Sequence, residues 1–257
     1  MNVLGVNLSN NGSICLLKNG EVNFYLEAER VNREKHSSDV RCLLDYADDV
    51  DVLAFVDARW EDEKKRYRSS SNVAAFRRKF PGATICDLRM DHHLAHAMCA
   101  FHRSPFGDAV NIVVDSNGSL SPQGVEIESI YRGLEPVHKK YFTENDPGIG
   151  KMFEAASKYY GFDWMDAGKV MGLAAYGDRL AVEVQEAWEK RSEELVHIAA
   201  QYSNNITLSG GCFLNCVVNY KLTKKFPHLN FYAEPLAHDG GTAIGAAYVA
   251  YYENLNT

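Results

Sequence analysis

Apolar and polar positions alternate in short blocks at the start of the chain. NVLGVNL is followed by the polar turn SNNG, then SICLLK, the turn NG, and EVNFYLEAE. Asn-Gly pairs between apolar runs are strong hairpin signals, so this stretch reads as a three-stranded antiparallel meander. A charged segment from Glu29 to Lys35 leads into a helical stretch around VRCLLDYA. The near-continuous apolar run DVLAFVD has the pattern of a strand buried on both faces. WEDEKKRYRSSSNVAAFRRKF reads as a charged surface helix or helical pair, ATICDLRM as a strand, and DHHLAHAMCAF as a helix.

The pattern then restarts. AVNIVVDSNGS is strand plus polar turn, and VEIESIYRG and VHKKYFTE are two further strands of a second meander. Helical GKMFEAASKYYGF follows, then residues 181–203 with helical periodicity, the strands NITLSGG and LNFYAEP, and a closing helix GTAIGAAYVAYYENL. Two halves with one pattern predict a duplicated α/β chain, with lobes of about 1–105 and 106–257 and a cleft between them.

Composition adds exclusions. The formal net charge of −7 over 257 residues argues against nucleic acid as the main partner. No apolar run reaches membrane-spanning length, and MNVLGVNLS enters a strand with no basic flank, so neither a membrane span nor a signal peptide is expected. Cys15, Cys42, Cys86 and Cys99 read as reduced core thiols, and Cys212 and Cys216 lack the tight spacing of zinc or redox pairs. A reducing, cytoplasmic compartment is the expectation.

The chemistry concentrates at a few places. On a helix, His92 and His96 share one face, a spacing that offers two adjacent imidazoles to one ion; a polar helix start with no ligand role is the other reading. His93 points elsewhere. Asp115 ends an apolar strand, where rigid backbone favours functional groups. Asp239 precedes Gly-Gly and an apolar helix, as a ligand or as a helix cap. Two histidines with two aspartates suit Fe(II), Mn(II) or Zn(II). Three glycine-bearing stretches look built for phosphate: SNNGS with Gly12, AGKVMGLAAYG with Lys169 and Gly172, and LSGGCFLN with Gly210 and Gly211. In a duplicated chain they point to a nucleotide between the lobes.

These segments, in this order, resemble the O-carbamoyltransferases of the nodulation and antibiotic-tailoring type. The resemblance runs from VLGVNLSNNGSICLLKNGEV through EAERVNREKH, DHHLAHA, IVVDSNG, GKVMGLAAYG and LSGGCFLN to HDGGTAIGAA. The family's transferase domain is similar to the tRNA threonylcarbamoyladenosine transferase and has the actin/hexokinase/Hsp70-like (ribonuclease H-like) fold. The resemblance implies that His92, His96, Asp115 and Asp239 hold a divalent metal, iron first. It places Gly210, Gly211 and Asn215 near an adenosine and Lys169 near its phosphates, with Gly12, Gly118 and Gly172 in nucleotide-facing turns. Arg30, Arg33, Lys35 and His36 would make a basic wall. The reaction implied is transfer of a carbamoyl group from carbamoyl-adenylate to a hydroxyl of a small-molecule acceptor.

The sequence also departs from the family. The first hairpin usually carries His-Asp, where this chain has Asn10 and Asn11; an amide cannot take a proton, so a general base expected among the catalytic positions is replaced. Asp115 is followed by Ser116-Asn117-Gly118-Ser119 in place of Gly-x-Gly-Glu, and the segment after Tyr176-Gly177 is short. The adenylate-forming domain of the family is not in these 257 residues, so a separate protein is expected to supply the adenylate. A non-catalytic nucleotide- or metal-binding regulatory subunit is the alternative. A sugar-kinase-like phosphotransferase fits less well, because such kinases do not need the His92/His96 pair.

Overall fold

The structure, a computed structural model, describes residues 1–58 and 63–255. The opening meander folds as its turns require: β1 (Asn2–Asn7), β2 (Ser13–Lys18) and β3 (Glu21–Glu27) pair antiparallel. Both hairpin tips place an asparagine in left-handed backbone, Asn11 at φ 53° and Asn19 at φ 53°, which asparagine tolerates better than most residues. β4 (Val52–Val56) and β5 (Thr84–Leu88) extend the sheet in parallel from the other edge of β1, giving the order β3-β2-β1-β4-β5. β4 is buried along its whole length, as an unbroken apolar run in a covered central strand must be.

The helices of this half are α1 (Ala28–Asn32), α2 (Glu63–Lys79) and α3 (His92–Arg103). The predicted charged helix begins at Trp60, and its residues 60–62 lie outside the described residues. VRCLLDYA forms a 3-10 helix over Val40–Tyr46, not an α-helix. Its two buried side chains, Val40 and Leu43, are three apart and so fall on one face of the tighter turn.

The second half repeats the first. β6 (Val110–Val114), β7 (Leu120–Ser121), β8 (Gly124–Arg132) and β9 (Glu135–Tyr141) form the antiparallel part. After α4 (Ile149–Tyr159), α5 (Ala167–Ala175) and α6 (Arg179–Ala199) come β10 (Asn205–Ser209), α7 (Cys216–Lys225) and β11 (Asn230–Ala233). β10 and β11 extend the sheet in parallel from β6, so β9-β8-β6-β10-β11 reproduces the first sheet's order strand for strand. The expected glycine turn at AGKVMGLAAYG is helix α5 instead. Val170 anchors it in the core, and the turn comes only at Gly177, φ 80°.

The last helix, α8 (Thr242–Leu255), does not stay with the second half. It packs on β1, β2 and β4 of the first sheet and against α3, which lies on β6, β8 and β10 of the second. The α3/α8 pair therefore sits between the sheets. Two glycines set how deeply it seats: a Cβ on Gly5 would collide with the Ala243 carbonyl oxygen, and one on Gly245 with that of Ala95. This contact carries the histidines of α3 to the loop that precedes α8.

Candidate functional site

α3 begins at the interface of the two sheets, and its first turn is buried: His92, His93 and His96 are all 0% exposed. The His92 backbone N–H donates to Ser119 Oγ (3.1 Å), fixing the helix start to the turn after β6. His93 points away from its neighbours into the second sheet, with Nδ1 2.8 Å from Ser129 Oγ, and burial pushes its pKa down to about 4. It is a core histidine.

His92 and His96 meet two carboxylates. Asp115 follows β6, and Asp239 sits in the turn that leads into α8. Nε2 of His92 lies 3.6 Å from Asp115 Oδ2 and 3.6 Å from Asp239 Oδ1. Nε2 of His96 lies 3.4 Å and 3.8 Å from the same two atoms, and 3.2 Å from His92 Nε2. One ligand atom from each of the four falls within 4.8 Å of the others.

Four donors about 2.1 Å from a common centre stand about 3.4 Å apart in a tetrahedron, so this set fits an ion. Asp115 Oδ2 is buried with no hydrogen-bond donor, although it faces both imidazoles. Its Oδ1 accepts from Ser116 N–H at 2.7 Å, which aims the carboxylate. Ser209 Oγ lies 3.5 Å from His96 Nδ1, leaving Nε2 toward the cluster. Asp239 does not cap its helix: its side chain turns to the histidines, with Ser9 Oγ 2.8 Å from Oδ2, while His238 Nδ1 accepts from Gly240 N–H.

The cluster is strongly polarised. Burial lowers the pKa of His92, but the Asp239 and Asp115 carboxylates outweigh it and lift it to about 10. Burial raises the carboxyl of Asp115, and the His92 and His96 imidazoles that face it outweigh that and hold it at about 2. Asp239 is held well below the usual range against the same burial, by His92 first. A cation in this place satisfies both carboxylates without protons on the rings.

Asp115 and Asp239 lie in the wall of a cavity of about 350 Å³. Asn10, Asn11 and Asn117 contribute amides; Phe153, Trp164, Met165, Met171 and Leu214 make an apolar side; Gly211 and Asn215 lie between β10 and α7. Asn215 caps α7 by accepting from Val218 N–H (3.1 Å) and donates to Gln185 (2.7 Å). Gly210, at φ 87°, packs against Val114 and permits the turn.

Several expected positions are not brought here. Lys169 is half-exposed on α5, with Nζ 2.6 Å from Asp166 and over the Phe162 ring, and it does not line the cavity. A helix, not a turn, carries it, and Gly172 with it. The Gly12 N–H is taken by Ser37 O (2.7 Å), and the Gly118 N–H by Glu126 O (2.7 Å), so neither amide faces a ligand. Arg33 closes α1 in left-handed backbone, outside both cavities described here, and Lys35 lines a second, neighbouring cavity of about 780 Å³. His36, next to these cations in sequence, lines both cavities. Ser9, Trp164 and Met165 were not singled out. The one sequence signal for the last two is a tryptophan in the polar link FDWMDAG.

Comparison with known proteins decides the lineage. The family described as Carbamoyltransferase N-terminus matches residues 64–192 and 179–248. The chain belongs to this family. Nodulation protein NolNO of Sinorhizobium fredii is 25% identical over 92% of this carbamoyltransferase-family chain and 45% of its own length. Nodulation protein NolO of Bradyrhizobium diazoefficiens is 24% identical over 62% and 37% respectively. The chain thus spans less than half the length of these relatives. Among solved structures it is similar to a ROK family protein from Streptococcus pneumoniae in complex with sucrose (TM-score 0.61, 12% identity, all of both chains). Full-length HypF in the phosphate- and nucleotide-bound form gives 0.56 and 12%, over 98% of this chain and 55% of that one. At such identities these likenesses show the fold, which is the duplicated actin/hexokinase-like one.

Proposed function

We propose that this chain carries the transfer site of a carbamoyltransferase, moving a carbamoyl group from carbamoyl-adenylate to a hydroxyl of a small-molecule acceptor. The observation that carries the reading is the His92/His96/Asp115/Asp239 set, its histidines buried and its aspartates at the wall of a cavity large enough for a nucleoside. Those four side chains would hold a divalent ion, Fe(II) first, with Mn(II) and Zn(II) as the other fits for nitrogen and oxygen donors. When bound, the ion supplies neutralising charge for the phosphate of the leaving AMP and a fixed orientation for the mixed anhydride.

The chain's own residues do the rest. Ser9 aims Asp239, and Ser116 aims Asp115. The Asn10, Asn11 and Asn117 side chains offer amide donors and acceptors around the transferred group. Phe153, Trp164, Met165 and Met171 exclude water from a reactive anhydride, and Gly211 and Asn215 flank the place for the adenosine. The adenylate would come from a separate adenylate-forming protein or domain, and six cysteines without a disulfide framework favour a cytoplasmic location. No helix among the described residues is long and apolar enough to cross a membrane.

Elemental analysis of anaerobically purified protein tests the reading. About one equivalent of iron, manganese or zinc in the wild type, lost in His92→Ala/His96→Ala, is expected. No metal in either protein after reconstitution would remove the ground for metal-assisted transfer. Asn10 and Asn11 in the cavity favour a second reading, a regulatory subunit that binds nucleotide and metal without turnover. Carbamoylation of any acceptor by the wild type would eliminate it.

A further inference from the structure

Among the described residues, only Asn10 and His36 line both the metal-side cavity and the larger second cavity. The second cavity carries Ser37, Ser38, Ser69 and Ser70 with charges of both signs, a lining that suits a polyhydroxylated ligand and not an apolar one. A group that serves two bound molecules at once belongs at this junction. The Asn10 amide cannot accept a proton, and the His36 imidazole can.

One neighbour favours a tautomer. His36 Nδ1 lies 3.3 Å from Asn11 Oδ1, and a carbonyl oxygen only accepts, so a hydrogen bond there puts the hydrogen on Nδ1 and leaves the Nε2 lone pair. The backbone is fixed as well: φ is 57°, and the His36 N–H donates to Glu29 Oε2 at 3.0 Å. The other imidazole of the first cavity is already committed. His238 Nδ1 accepts from Gly240 N–H (3.1 Å), and its Nε2 faces Glu27 Oε1 at 3.6 Å.

We propose that His36 is the general base of the transfer: an acceptor hydroxyl seated in the second cavity gives its proton to His36 Nε2 as its oxygen attacks the carbamoyl carbon held in the first. The inference rests on the carbamoyl-transfer reading above. The acceptor oxygen forms a bond to the carbamoyl carbon, and the bond from that carbon to the phosphate oxygen breaks, its electron pair leaving with AMP. The products are a carbamate ester and AMP, and the imidazolium returns its proton to solvent. Burial, then Lys35, hold the His36 pKa below the ordinary imidazole value. Glu29 and Asp163 oppose this and His238 adds to it, so the ring is neutral and basic at pH 7.

The test supplies the full chain with chemically prepared carbamoyl-adenylate and two nucleophiles: glycerol, whose hydroxyl needs a base, and hydroxylamine, which does not. Carbamoyl-glycerol and hydroxyurea are counted above the enzyme-free rate, and metal content reports folding. His36→Asn is the variant, since asparagine adopts the left-handed backbone this position requires. Glycerol transfer is expected to fall ~100-fold and hydroxyurea formation by less than ~10-fold. Added imidazole should restore part of the glycerol rate, and the acidic limb of the wild-type pH profile should vanish in the variant. Equal losses with both nucleophiles, or glycerol transfer at the wild-type rate, would overturn His36 as base. A wild type inactive with both nucleophiles would overturn the carbamoyl-transfer reading, and the base with it.

Discussion

Ser9 illustrates how the site is tuned one atom at a time. Its hydroxyl lies 2.8 Å from Asp239 Oδ2 and 2.6 Å from Asn7 Oδ1, so a polar pair at the end of β1 orients a carboxylate 230 residues away. Groups that orient metal ligands are commonly worth 10- to 100-fold in affinity, so Ser9→Ala is expected to weaken metal binding by about that range in a chelator competition. An unchanged affinity would show that Asp239 needs no such support. The positions of the cluster were readable in the sequence: His92 and His96 share a face by helical spacing, with a ligand-free helix start as the other reading, Asp115 follows an apolar strand, and only the family resemblance joined them to Asp239 as one set. Asp239 was ambiguous with a helix cap until its side chain was seen turned away from the helix. Ser9 was not readable, because only the closed fold brings it to Asp239.

His102 gives the molecule a pH dependence of its own. The ring stacks on Tyr248 (4.1 Å) and Tyr252 (5.1 Å), its Nε2 is buried without a partner, and burial lowers its pKa to about 4. In the unfolded chain the value returns to about 6.5. As pH falls the unfolded state takes up this proton first, so the contribution is whole above about pH 6.5 and is lost progressively toward pH 4. Urea unfolding at pH 7.5 and pH 5 is expected to show a smaller acid loss in His102→Phe, which keeps the stack. An identical loss would place the acid sensitivity elsewhere.

At the scale of elements, helix α8 decides the geometry. Gly5 and Gly245 let its backbone approach both β1 and α3, and Asp239 enters the site only because that approach is close. A methyl at Gly245 must displace the helix, so Gly245→Ala is expected to cost ~1–3 kcal/mol in denaturant unfolding and to lower metal affinity at the same time. Stability lost with affinity intact would uncouple the two. Strands were the most legible elements, since Asn-Gly turns and near-continuous apolar runs act locally. The α5 segment was misread as a phosphate turn because glycine permits a turn but does not impose one, and Val170 with its neighbours buries a helical face instead. Lys169 was carried out of the cavity by that difference. VRCLLDYA was helical in period, but three-residue spacing of its buried positions settles for the tighter helix.

At the scale of the molecule, the two sheets share one strand order, with β7 added to the second, and the repeated meander carries that duplication in the sequence. The return of α8 to the first sheet was not, because nothing in an apolar helix says which of two similar sheets it will cover. The ligand set draws on both halves: Asp115 from the end of β6, Asp239 from the approach to α8, and both histidines from the helix between the sheets. A metal held by this set would therefore stabilise the assembled fold. At free ion about 100 times the dissociation constant the gain is about 2.7 kcal/mol, so chelation is expected to lower Tm in the wild type and to leave His92→Ala/His96→Ala unmoved. Equal shifts in both would mean that the chelator acts elsewhere.

The position of the α3/α8 pair also sets what moves when the halves open and close. Points near a pivot travel least, and this helix pair, packed against both sheets, is where any rocking of one sheet on the other must turn. The four ligands sit beside that pivot, whereas Trp164, Met165 and His36 stand farther out along the walls. A rocking of one sheet on the other would thus widen or narrow the mouth of the cavity while its charge-bearing floor stays assembled, like jaws that work around a fixed pin.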